Sequence, residues 1–234
     1  MVNAPNLGWR DVPLADELTR ACGTRVLVEN DVRAAAWGEY AYGAGTGADS
    51  LVAVFVGTGV GSGAVLGGRL WRGATNGAGE VGHTQVVPGG IPCPCGAIGC
   101  LERYVSGSAF QQRFRAALAS GVTSALASST GGDADALTAP LVHAAAERGD
   151  ALARELWADA ERYLVLGLAN YVTLVNPQIL VLGGGVIESV PPLFDRVAAG
   201  VRAATTTLAR EGLRVERARL GDWSGVVGAA ALAR

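Results

Sequence analysis

The chain has 234 residues, half of them apolar and 17% charged, with a net charge of −2 and a pI near 5.7. That is apolar material enough for a substantial core in one or two domains, and it leaves no basic field to attract nucleic acid or an anionic lipid surface. No charged segment followed by an apolar one opens the chain, and the longest weakly polar run, residues 51–68, is broken by glycines, Thr58 and Ser62. Neither a secretory leader nor a membrane helix is therefore expected.

Residues 1–11, rich in Pro, Asn and Gly, read as a loop. A short amphipathic helix is predicted over 14–21, stopped by Gly23. Next, a β-branched run at 25–28 ends on Glu29, Asn30 and Asp31, and an alanine-rich helix over 32–42 follows, closed by Gly43. A strand, then polar groups, then a helix is the α/β way of presenting chemistry at a sheet's carboxyl edge. Asp31 is equally a good helix N-cap, and its neighbours alone leave both roles open.

A buried strand is predicted over 51–56, followed by Gly-Thr-Gly-Val-Gly-Ser-Gly at 57–63, a second strand over 63–66, a Gly67-Gly68 hairpin and a returning strand over 69–71. Alternate glycines beside Thr58 let backbone N–H groups approach an anion, yet a tight glycine hairpin accounts for them equally well. The segment is neither a P-loop nor a dinucleotide fingerprint, because no Gly-Lys-Ser/Thr follows and a strand comes next.

Three of the four cysteines, Cys93, Cys95 and Cys100, fall within eight residues, and His83 lies ten positions before the first. Thiolates with an imidazole form a tetrahedral set that suits zinc, and Pro92, Pro94, Gly96 and Gly99 let the intervening loop fold back. Such clustering of scarce cysteines favours a metal site over a disulfide or inert thiols, and reduced cysteines favour a cytoplasmic setting. A zinc closed by four protein ligands holds shape and does no chemistry. Attention moves to what it positions: Glu80, His83 itself and Glu102.

Beyond this stretch, residues 103–119 read as a helix, 120–136 as a polar surface loop, and 141–148 and 151–176 as helices, the second long and halted by Pro177. His143, alone on the first of these, reads as a structural or surface residue. A buried strand over 178–182 runs into Gly183, Gly184 and Gly185 and a helix from about Pro191, a turn able to lie flat against a nucleotide's base and ribose. A strand over 213–219 and a small-residue helix over 225–233 follow. Strands and helices alternate without a fixed-period repeat, so the class is α/β.

The segments PNLGWRDVPL, VENDVRAAAWGE, GTGVGSG, RGATNGAGEVGH, CPCGAIGCLE, LVLGGG and GVVGAAALA together resemble the ROK (repressor, open reading frame, kinase) family of bacterial sugar kinases, its glucokinases most closely. The resemblance runs nearly end to end and implies an actin-like ATPase (ribonuclease H-like) fold, two domains around a cleft. Residues 1–50 would be the remnant of the first domain, and 51–234 the second. It implies ATP-dependent phosphorylation of a hexose, glucose to glucose 6-phosphate foremost, with Asp31 as the base that accepts the proton of the attacking hydroxyl. On the same resemblance Asn30, Glu80, His83 and Glu102 hold the sugar. Gly57, Thr58 and Gly59 hold the ATP phosphates, and Gly183 and Gly184 border the adenosine. His83, Cys93, Cys95 and Cys100 would hold a structural zinc, with one ring nitrogen of His83 on the metal and the other on a sugar hydroxyl. ATP, Mg²⁺, a hexose and a second copy in a homodimer are the implied partners, with no nucleic acid or membrane contact. A non-catalytic sugar-sensing module of a ROK repressor, or a kinase for another hexose such as N-acetylmannosamine, is the alternative; retention of Asp31 and GTGVGSG favours the kinase.

Two departures carry expectations. Val32-Arg33 follows Asn30-Asp31 where the family often has Ala-Asn, and Arg33 is expected to be a solvated helix residue. The family's first phosphate motif, Asp-x-Gly-Gly-Thr, is expected ahead of PNLGW and is not found, so a truncated first domain is expected. The strand at 25–28 would then expose an edge and an apolar face, and phosphoryl transfer would be weak or absent.

Overall fold

The computed structural model describes residues 2–4 and 8–234. At its centre is a five-stranded sheet of order β5-β4-β3-β6-β7. The strands are β3 (Ser50–Val56), β4 (Val60–Leu66), β5 (Arg69–Leu70), β6 (Ile179–Gly183) and β7 (Arg214–Arg217), and a separate antiparallel pair joins β1 (Val2–Ala4) to β2 (Trp9–Val12). β3 turns tightly into β4, Val56 facing Val60, while β3, β6 and β7 run parallel. SLVAVFV and ILVLG are continuous apolar runs because both faces of these strands are covered.

The described residues form eleven α-helices: α1 (Leu14–Cys22), α2 (Asp31–Tyr42), α3 (Glu102–Val105), α4 (Gly107–Ala119), α5 (Ala125–Thr130), α6 (Ala139–Glu147), α7 (Ala151–Val175), α8 (Gly185–Ser189), α9 (Pro191–Ala204), α10 (Thr207–Glu211) and α11 (Ser224–Leu232). Alternation along β3 divides the core. Val52 and Val54 join Leu156, Leu164 and Leu168 of α7, whereas Leu51 and Ala53 join Ala36 of α2 on the opposite face. On that second face α2 crosses α11 with almost no space between backbones. A Cβ on Gly228 would lie 1.7 Å from Ala34 O, and one on Gly38 would lie 2.4 Å from Ser224 O. Beside the crossing Glu39, fully buried, accepts the N–H groups of Ala44, Arg219 and Leu220 and the Ser224 hydroxyl.

Several expectations need correction. Residues 1–11 contain the β1–β2 pair rather than loop alone, although residues 1 and 5–7 lie outside the described part. Residues 25–28 form no strand. Among the described residues no strand runs beside them to take their hydrogen bonds, and Leu27 is 53% exposed. The helix predicted over 103–119 breaks at Ser106, whose hydroxyl donates to Glu102 O and caps α4 at Ala109 N. Residues 120–136 are not a plain loop, because Ser124 caps α5 and Leu126 is buried in the core. The half-buried His143 stands edge-on to Trp157 and packs against it.

Candidate functional site at the start of β4

The Gly57–Gly59 loop, Glu102 and the amino end of α2 meet at the first residues of β4. Immediately before it, the Gly57-Thr58-Gly59 loop is shaped by a Gly57 N–H to Gly59 O bond of 2.9 Å. Its carbonyls are occupied from outside, Gly57 O by Gly107 N and Thr58 O by Ser108 N, so the first turn of α4 supports the loop. Among the described residues no acceptor takes the Thr58 and Gly59 N–H groups, which leaves two backbone donors for an anion. Gly57 and Thr58 line a cleft of about 550 Å³ that also exposes Ser108, Thr138, Gly185 and Ser189. Gly185, rather than Gly183 or Gly184, is the glycine of its triplet that lines this cleft. Gly184 serves packing: at φ +89° it lies against β3, where a Cβ would be 2.6 Å from Val56 O.

Asn30, not Asp31, caps α2. The Asn30 Oδ1 accepts the Arg33 N–H at 2.9 Å, which leaves its amide donors for a ligand. Asp31 is the first helical residue, exposed, with Oδ1 on the Val32 N–H. The Val32 side chain fills the space a Cβ on Gly61 would need, which seats the amino end of α2 against β4.

Arg33 is buried, only 4% exposed, contrary to the expectation of a solvated residue. Its Nε lies 2.8 Å from Glu29 Oε1 and its other donors reach backbone carbonyls of the loop that leads to Glu80. Glu29 also pairs with Arg72. Burial alone would raise the Glu29 pKa, but the Asn30 N–H, Arg33 and Arg72 together outweigh it and hold the carboxyl below its ordinary value. The i,i+4 spacing of Glu29 and Arg33 was the available signal for this pair. Glu80 itself is exposed and borders a second cavity of about 500 Å³ beside Thr84, Asn170 and Tyr171.

Glu102 reaches back from α3 so that its Oε2 accepts the Val60 N–H at 2.8 Å, and a Cβ on Gly59 would lie 2.6 Å from the same oxygen. Two residues before it, Cys100 belongs to a four-residue cluster with His83, Cys93 and Cys95 whose ligand atoms all lie within 4.8 Å of one another. The His83 Nδ1 to Cys93 Sγ and Cys95 Sγ to Cys100 Sγ distances are both 3.7 Å. A tetrahedron with metal–sulfur bonds of about 2.3 Å has edges of about 3.7 Å, which these two pairs match, and all four donors lie close enough to converge on one ion. His83 turns Nδ1 into the cluster and keeps Nε2 outside it. The loop folds back through Gly99, at φ +75°, where a Cβ would meet Val87 O at 1.8 Å. Burial, aided by Cys93 and Cys95, pushes the Cys100 thiol up to about 12.

A model of the ROK family matches residues 1–234. The glucokinase of Streptomyces coelicolor is 35% identical over 234 residues, 99% of this chain and 74% of that protein. The E. coli transcriptional regulator NagC is 30% identical over 230 residues, which cover 98% of this chain and 55% of the regulator. In three dimensions the ROK family glucokinase of Streptomyces griseus, solved with glucose and AMPPNP, superposes with a TM-score of 0.80 at 37% identity, over 98% of this chain and 75% of that one. The mixed sheet and its flanking helices are thus those of the actin-like ATPase fold seen in ROK glucokinases. With its sequence matched throughout and its fold shared, the chain belongs to the ROK family.

Proposed function

We propose that the chain is the sugar- and nucleotide-binding body of an ATP-dependent hexose kinase, with glucose as the foremost substrate. The observation that carries this reading is the Glu102–Val60 bond. It sets a carboxylate suited to sugar hydroxyls directly against the glycine loop suited to phosphates. The likeness to a glucokinase that binds glucose and an ATP analogue supports the same pairing of ligands.

In the proposed reaction Asn30, Glu80, His83 Nε2 and Glu102 bind the sugar hydroxyls, and Asp31 accepts the proton of the hydroxyl that attacks the γ-phosphorus. The new O–P bond forms as the β–γ bridging bond breaks, and ADP leaves carrying that bridging oxygen. Thr58 and Gly59 N–H groups bind phosphate oxygens, and Mg²⁺ accompanies the nucleotide to offset the rest of the charge. His83, Cys93, Cys95 and Cys100 would hold zinc as a structural ion that fixes the tautomer and direction of His83. The division into residues 1–50 and 51–234, a homodimer and a cytoplasmic setting belong to the same proposal, with α2 as the element through which the two parts meet.

An ADP-release assay over glucose, mannose and N-acetylmannosamine tests the reading. Weak turnover with one hexose, lost in Asp31→Asn, is expected. The relation to NagC motivates a second reading, a sugar-sensing module, and hexose binding with no ADP release would favour it.

A further inference from the structure

We infer that Arg33, with Glu29, is a positioning device that ties the loop bearing Glu80 to the helix bearing Asp31, and so sets hexose affinity. The inference rests on the kinase reading for the identity of the ligand. Residues 71–77 are all exposed, and the loop has no apolar anchor before the buried Val81, one residue past Glu80. What holds it is polar. Arg33 donates from one guanidinium nitrogen to Asn76 O at 2.8 Å and to Ala78 O at 3.4 Å, with Asn76 in the left-handed region at φ +62°. Glu29 completes the frame, dividing its oxygens between Arg33 Nε at 2.8 Å and Arg72 Nε at 2.6 Å. Inside the loop one further bond, Ala78 N–H to Arg72 O at 3.1 Å, closes the turn, and the Ser62 hydroxyl donates to the Gly79 carbonyl.

Arg33 and Glu29 stand one turn apart, immediately around Asn30 and Asp31. The guanidinium fork can hold two carbonyls and a carboxylate at fixed directions, which an ammonium on a flexible stem cannot. At 4% exposure Arg33 offers no charge to solvent or ligand, so its influence on a sugar passes through the loop. A carboxylate on a freed loop must be ordered at each binding event, and that ordering weakens affinity.

Calorimetry with glucose and with a non-hydrolysable ATP analogue, alongside hydrogen exchange of residues 72–81, tests the inference on the wild type, Arg33→Gln and Arg33→Lys. The expected result is a roughly ten- to hundredfold loss of glucose affinity in Arg33→Gln. Partial recovery in Arg33→Lys, unchanged nucleotide affinity, and faster exchange confined to Ala78 and its neighbours complete that result. Should Arg33→Gln fail to fold, Arg72→Gln opens the frame from its exposed side and is expected to move glucose affinity in the same direction by a smaller factor. Glucose affinity unchanged while the wild type binds glucose overturns this inference alone. Parallel losses of glucose, nucleotide and thermal stability overturn it too, because they describe a merely structural residue. A wild type that binds no hexose overturns the inference together with the kinase reading.

Discussion

The Glu102 carboxylate accepts the Val60 N–H at 2.8 Å, so a single side chain joins the cysteine loop to the first residue of the strand that follows Gly57-Thr58-Gly59. Removing it leaves that N–H without its charged acceptor, a change of about 2 kcal/mol for a bond of this kind. Glu102→Ala is therefore expected to weaken both glucose and nucleotide binding, measurable by titrating each ligand separately. Loss of glucose binding with nucleotide binding intact would show that the bond does not shape the phosphate loop.

The four-donor cluster predicts about one zinc per chain by metal analysis. Cys95→Ser is expected to lower zinc retention and, through His83, glucose affinity by roughly tenfold or more. Chelation should lower the melting temperature without unfolding the sheet, since only the loop of residues 83–100 is tied to the ion. A protein that keeps its glucose affinity after complete chelation would separate His83 from the sugar.

Stability predictions centre on the α2–α11 crossing. Glu39→Ala strands the Ala44, Arg219 and Leu220 N–H groups, and is expected to cost about 3–5 kcal/mol, read as a shift in urea midpoint. Gly228→Ala drives a methyl onto Ala34 O and should cost at least about 1–3 kcal/mol, the usual range for overpacking. A Gly228→Ala protein of native stability would mean that the two helices can part freely.

Acid should release the loop before the core. The Glu29 carboxyl is held below its ordinary value of 4.5, so its contribution is fully present above that pH and is lost as pH falls through the lowered folded-state value. Glu29→Gln is expected to flatten the fall in stability below about pH 4.5 and to leave the profile at neutral pH unchanged in shape. Denaturation midpoints at pH 3, 4, 5 and 7 check this; identical slopes in both proteins would remove Glu29 from the titration.

Much of this arrangement was legible before any coordinates. The apolar runs of β3 and β6, the long α7 ended by Asn176 and Pro177, and the His83/Cys93/Cys95/Cys100 spacing follow from pattern and ligand chemistry alone. Other features depended on tertiary partners. Residues 25–28 carry strand-forming side chains, but pairing decides a strand, and none is available to them among the described residues. Arg33 read as solvated because its burial depends on carbonyls more than forty positions away, at Asn76 and Ala78. Nothing in the sequence marks Glu39, because all its partners except Ala44 lie near the other end of the chain.

The most direct test measures glucose affinity and ADP release on one preparation of wild type and of Asp31→Asn. The account predicts that the substitution leaves the glucose Kd within about threefold, since Asn30, Glu80, His83 and Glu102 remain, and removes about 10²–10⁴ of the turnover, the usual contribution of a general base. Turnover that survives in Asp31→Asn would contradict the account.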